Sequence, residues 1–163
     1  MLTAFLFSRK NAPHSGMHHF SFGFAAQLPT AKDDSLGTGK WSIGPAIEYE
    51  YEYGRFFAAF VALHLWSVAG DNNRDDVNMT MIKPMITYDI SRRWDLVYMP
   101  YGITYYWNKP SGQNAYVPVG GGLQYNFSIG DTDAAASLQA FKYAVRSDKG
   151  PENELRFMLE FNF

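Results

Sequence analysis

The feature that most constrains this chain is a repeat of two. Apolar and polar residues alternate along nine segments, near 2–8, 18–28, 40–52, 55–68, 77–90, 94–107, 114–128, 133–145 and 153–163, each bounded by Gly, Pro, Asn or Asp. Successive side chains of a strand point to opposite faces, so each segment predicts a strand with one apolar side. Most run ten to fourteen residues, about twice the usual strand. A tilted strand that crosses a membrane needs about 9–11. The chain ends on the same pattern, "LRFMLEFNF", with Leu155, Phe157, Leu159, Phe161 and Phe163 on one side of a strand and Arg156, Met158, Glu160 and Asn162 on the other.

Composition agrees with strands. Aromatic residues make up 17% of the 163 residues, including 11 Tyr, 13 Phe and 4 Trp, and such rings suit a pleated surface. The longest apolar run, Phe56 to Leu63, is followed by His64, far short of the roughly 18 residues of a spanning helix. A net charge of −2 and a pI near 6.0 give no reason to expect a nucleic-acid partner. Cysteine is absent, which removes disulfides and thiolate metal sites. The opening "MLTAFLFSRKNAPHSG" has no basic stretch before its short apolar run, so it does not read as a secretory signal, which is expected upstream if the chain is exported.

The connections alternate in size. "YGR", "SRR" and "GDTD" are short, whereas "PTAKDDSLGTGK", "GDNNRDD", "NKPSGQN" and "RSDKGPE" are longer and polar. Short turns at one rim and long loops at the other are what outer-membrane barrels show. "SRKNAPHSGMH" is the misfit, a long connection on the short-turn side.

Parity then separates two faces. Trp41, Ile43, Pro45, Ile47, Tyr49 and Tyr51 oppose Ser42, Gly44, Ala46, Glu48, Glu50 and Glu52; Val117, Val119, Leu123, Tyr125 and Phe127 oppose Tyr116, Gly120, Gly122, Gln124 and Asn126. In a barrel the first set of each pair meets lipid and the second lines the lumen; in a soluble sandwich the apolar set faces a core. Ile82, Ile86, Tyr88 and Ile90 are assigned outward and Met79, Met81, Lys83, Met85, Thr87 and Asp89 inward, because a lysine facing lipid at mid-depth costs roughly 2–4 kcal/mol. Strand four is apolar on both sides, and its Phe56, Ala58, Phe60, Ala62, His64 and Trp66 side is expected to form an aromatic lumen patch. Parity leaves strand six unassigned. The expected lining is Glu48, Glu50, His64, Trp66, Lys83, Thr87, Gln124 and Asn126, with the glutamates biasing a pore toward cations.

Other motifs carry less chemistry. Asp71, Asp75 and Asp76 of "GDNNRDD" are weak candidates for a hard cation, but a solvated turn favours the same residues, so no metal or other cofactor is expected. His14, His18 and His19 have no carboxylate near them in sequence and read as part of a polar turn. His64 and Ser67 have opposite parity on one strand, which spoils them as a base and nucleophile pair, and no enzymatic activity is expected. Gly120, Gly121 and Gly122 precede no helix that would make a phosphate site; inside a strand they permit a bend or the close approach of a neighbouring backbone.

Four stretches, "QLPTAKDDSLGTGKWSIGP", "WSVAGDNNRDDVN", "YVPVGGGLQYNF" and "LQAFKYAVRSDKGPENELRFMLEFNF", resemble in this order the outer-membrane β-barrel family named after the meta-cleavage pathway of phenol degradation, over about residues 20–163. The resemblance implies an all-β, antiparallel up-and-down transmembrane β-barrel in the outer membrane of a Gram-negative bacterium. Its members are described as transporters of small, in part aromatic or hydrophobic, compounds. Members carry a signal peptide and further strands ahead of the position matching Leu2, and single-chain bacterial barrels have even strand numbers. The chain is therefore expected to be one β-barrel domain forming the C-terminal part of a barrel of about twelve strands; the alternative is that eight strands close by themselves, between 18–28 and 153–163. The terminal Phe157, Leu159, Phe161 and Phe163 match the signal read by the barrel assembly machinery. The expected function is passive diffusion of small solutes, with outer-membrane lipid as the surrounding partner and the oligomeric state open. A barrel without transport, structural or partner-binding, is the alternative, and a soluble barrel carrying a lipophilic ligand the third reading.

Overall fold

A computed structural model describes residues 2–9, 18–31, 37–148 and 150–162. All regular structure in them is strand: β1 Leu2–Arg9, β2 His18–Leu28, β3 Lys40–Tyr53, β4 Phe56–Gly70, β5 Asn78–Asp89, β6 Trp94–Tyr98, β7 Ile103–Tyr106, β8 Ala115–Ile129, β9 Thr132–Val145 and β10 Asn153–Asn162. They form one antiparallel sheet in chain order, with β6 and β7 as two halves of a single interrupted strand between β5 and β8. The protein is therefore an all-β, up-and-down, barrel-type sheet of nine strands. Each expected segment is a strand, except that 94–107 is broken at Met99–Gly102. Pro100 cannot donate to a ladder, and such a residue confines a strand.

Two of the short connections are two-residue hairpin turns, Gly54–Arg55 and Gly130–Asp131, each with its glycine at φ near +60°. A glycine at the first central position is what a type II′ turn requires, and its twist matches that of the flanking strands. Gly44 is needed for a different reason. A Cβ there would lie 1.7 Å from the His64 carbonyl oxygen on the neighbouring strand.

The register corrects the eight-strand alternative. His18–Leu28 is hydrogen-bonded on both sides, to β1 and to β3, so it offers no edge to β10. The path begins at β1 and ends at β10, which do not pair with each other.

The pleat sorts side chains as alternation predicts on most strands. One face carries Phe22, Phe24, Ile43, Ile47, Ile82, Ile86, Leu96, Leu123, Leu138, Leu155, Phe157 and Leu159, all exposed. The other carries most of the buried residues. Toward the long loops, Ala25, Ala46, Leu63, Leu65, Met79 and Met81 pack together with Val77 and against Tyr106. Toward the short turns the same face mixes polar Asp95, Ser137 and Gln139 with apolar Val97 and Ala135, all buried. We call this buried side the concave face and the other the convex face.

Candidate pore-lining site

Register fixes which side chains share the concave face. Glu48 of β3 pairs across to Val61 and onward to Lys83; Thr87 pairs with buried Val97; Gln124 pairs with Asp95 and with Ser137. Glu48, Glu50, Lys83, Thr87, Gln124 and Asn126 therefore lie on the side expected of them. Glu48 and Glu50 are half-buried and have no hydrogen-bond or ionic partner among the described residues.

His64 and Trp66 do not. Ala62 pairs with Ile47 and with Ile82, so the even-numbered residues of β4 lie on the convex face, and the aromatic lumen patch expected from them is not there. His64 instead joins a convex aromatic cluster at the loop rim. Its ring centroid is 4.3 Å from that of Trp66 and 6.4 Å from that of Trp107. The Thr80 hydroxyl lies 2.8 Å from its Nδ1 and accepts the Trp107 indole N–H at 2.9 Å. The concave side of β4 is Phe57, Ala59, Val61, Leu63 and Leu65, an apolar stripe.

Sequence reasoning missed Asp95, because the parity of strand six was ambiguous. It is 7% exposed, and its Oδ2 accepts from Asn126 Nδ2 at 2.7 Å and from Gln124 Nε2 at 3.2 Å. Two amides thus supply the hydrogen bonds that a buried carboxylate needs. Beside them a recess of about 790 Å³ opens at the turn rim, lined by Arg92, Arg93, Asn126, Asp133 and Glu160 among others. Glu154 and Arg156 of β10 are also concave: Arg156 pairs with Glu154, and Tyr143 donates to Glu154 Oε2 at 2.8 Å.

The "GDNNRDD" loop is braced from within. Lys40 Nζ lies 2.9 Å from Asp76 Oδ1, which also accepts from Ser67 at 3.2 Å. The hydrogen bond from Lys40, then that from Ser67, hold the Asp76 carboxyl below the usual range. Asp71 Oδ1 accepts from the Asn73 amide at 2.8 Å, an Asx turn, and Arg74 donates to the Gly37 carbonyl. Among the described residues no group of three His, Asp or Glu side chains converges on a common point. His18 faces outward and contacts the Tyr49 hydroxyl at 2.7 Å. His14 and Phe163 lie outside the described residues, as do residues 10–17 of the first connection.

The glycine run has the role read for it. A Cβ on Gly122 would lie 1.9 Å from the Leu138 oxygen, one on Gly120 2.0 Å from the Ala140 oxygen, and one on Gly121 2.9 Å from the Val97 oxygen. Both neighbouring backbones come close at these positions.

The convex face carries two rows of aromatic residues. Trp41, Trp66, Tyr105 and Trp107 mark its loop rim, and Tyr53, Tyr88 and Trp94 its turn rim, all exposed, with the Phe, Ile and Leu belt between. From Trp41 to Tyr53, the two rim residues of β3, is twelve residues, about 31 Å of height at ~3.4 Å per residue and ~40° tilt. Comparison of the chain with protein-family models, with curated proteins and with solved structures finds no match.

Proposed function

We propose that this protein is an outer-membrane β-barrel wall through which small solutes diffuse passively. The observation that carries the proposal is the inverted sheet: an aliphatic and Phe belt between two aromatic girdles on the exposed face, with charged and amide side chains turned inward. Water penalises such a face, at about 1.5–3 kcal/mol for each large apolar side chain left out, and exposed apolar patches of this extent mark a lipid or partner surface. A bilayer of about 25 Å apolar height matches the belt. Glu48 and Glu50, without a partner among the described residues, bias the passage toward cations. The terminal Phe157, Leu159, Phe161 and Phe163 suit recognition by the barrel assembly machinery, and the resemblance to the meta-pathway family points to the same membrane and to transport.

The test is planar-bilayer conductance of the full-length protein. Discrete conductance is expected, with Glu48→Gln shifting ion preference toward anions; a properly inserted barrel that passes no current would refute a channel. One observation favours a barrel without transport: the concave side toward the loops is filled by Leu63, Leu65, Met79, Met81 and Tyr106. The soluble-carrier reading requires the apolar set to face inward, and the Ile, Leu and Phe belt faces the other way.

A further inference from the structure

The sixth strand of the path folds inward at mid-height. Val97 and Thr104 are seven residues apart, yet their partners are six apart on either side, Thr87 to Met81 and Gly122 to Tyr116. One extra residue makes an ordinary bulge, but here Met99–Gly102 leaves the ladder and is fastened to more distant strands. The Met99 amide donates to Gln139 Oε1 at 2.9 Å, and its carbonyl accepts from Arg156 at 2.5 Å. Gln139 and Arg156 are concave side chains of β9 and β10, so both reach across β8, where Gly120 and Gly122 leave that face clear. Tyr98 crosses the same glycines to meet the buried Phe141 ring edge-on at 5.9 Å. On the other flank, Lys83 places its ammonium 5.4 Å from the centre of the Tyr101 ring. Tyr101 is 54% exposed, with its ring against concave Lys83.

Charge of the opposite sign lies at the same level. Glu48 and Lys83 belong to one cross-strand row with Val61 between them, which sets their backbones about 10 Å apart at ~4.8 Å per strand. Fixed charges act strongly between low-dielectric walls, and rings of charged side chains set the selectivity of pores. We propose that Met99–Gly102 is the constriction of the solute pathway, and that Lys83 and Glu48 make it favour small dipolar solutes bearing both charges, such as zwitterions. Such a solute meets both side chains at once, whereas a simple ion is attracted by one and repelled by the other. This inference rests on the channel reading above.

The experiment uses the full-length protein in planar bilayers under a KCl gradient, and in liposomes swelling in glycine or glycerol. Wild type is expected to conduct with a weak preference for cations, Lys83 offsetting part of the glutamate charge, and to pass glycine faster than glycerol. Lys83→Gln should raise the cation-to-anion permeability ratio about two-fold or more and Glu48→Gln lower it, each reducing the glycine advantage. Gln139→Ala, which frees the bulge, should raise conductance about two-fold. Tyr101→Ala, at an exposed ring that Lys83 contacts from one side, should raise it also and covers the case in which Gln139→Ala does not assemble. If Lys83→Gln and Tyr101→Ala both match wild type in conductance, reversal potential and glycine rate, the constriction lies elsewhere. If inserted wild-type protein passes no current, the channel reading itself falls, a different result.

Discussion

Asp76 is a single side chain on which two strands and a loop depend. It accepts from Lys40 at the start of β3 and from Ser67 on β4, and the Ser67 hydroxyl also accepts from the Val77 amide at 3.1 Å. Its carboxyl titrates below its unfolded value, so ionised Asp76 favours the folded loop. That contribution is full above the unfolded carboxylate range of ~4 and is lost as pH falls through the lower folded value. Hydrogen-exchange protection of the Arg74 and Val77 amides should be flat from pH 7 to about 5 and fall below about 4. In Asp76→Asn it should be low throughout, and an unchanged wild-type profile into strong acid would contradict the assignment. At this scale the sequence was half legible. Acidic loop residues were visible in "GDNNRDD", but the lysine that takes one of them lies 36 positions earlier, and only the β3–β4 pairing brings it there.

Among the elements, β3 was legible because its alternation is clean, whereas β4 was not because Phe, Ala, Val and Leu fall on both of its faces. One signal would have resolved it. A two-residue turn at Gly54–Arg55 makes Tyr53 and Phe56 a pair, and paired residues share a face; Tyr53 has the parity of Trp41 and Ile47, so Phe56, Ala62, His64 and Trp66 must be convex with them. Strand six defeated parity for another reason: its extra residue at Met99–Gly102 reverses odd and even between β6 and β7, so no single assignment fits both halves. The alternation of β3 makes a sharp prediction. Ile47→Arg, mid-belt on the convex face, should destabilise the lipid-refolded protein by about 2–4 kcal/mol, while Glu48→Gln, one residue on, should stay within about 0.5 kcal/mol. Guanidinium unfolding in lipid vesicles measures both, and equal costs would contradict the facing.

For the whole molecule, the two ends of the sheet set a condition. Eight antiparallel steps separate β1 from β10, so these strands run in the same direction, and their outer edges, unpaired among the described residues, would be costly if the sheet lies in lipid as proposed. The nine-strand order was readable from turn spacing alone; how the ring closes was not, since edges pair through backbone groups that every sequence shares. In the proposed membrane setting the belt faces lipid and the charged side faces water. The chain has no cysteine, so single cysteines can be placed one at a time along β10 in vesicle-inserted protein and tagged with a fluorophore quenched by lipid-borne nitroxides or by aqueous iodide. Lipid quenching is expected for Leu155→Cys, Phe157→Cys and Leu159→Cys and iodide quenching for Glu154→Cys, Met158→Cys and Glu160→Cys. Quenching without alternation, or folded protein that stays monodisperse in plain buffer and never enters vesicles, would contradict it.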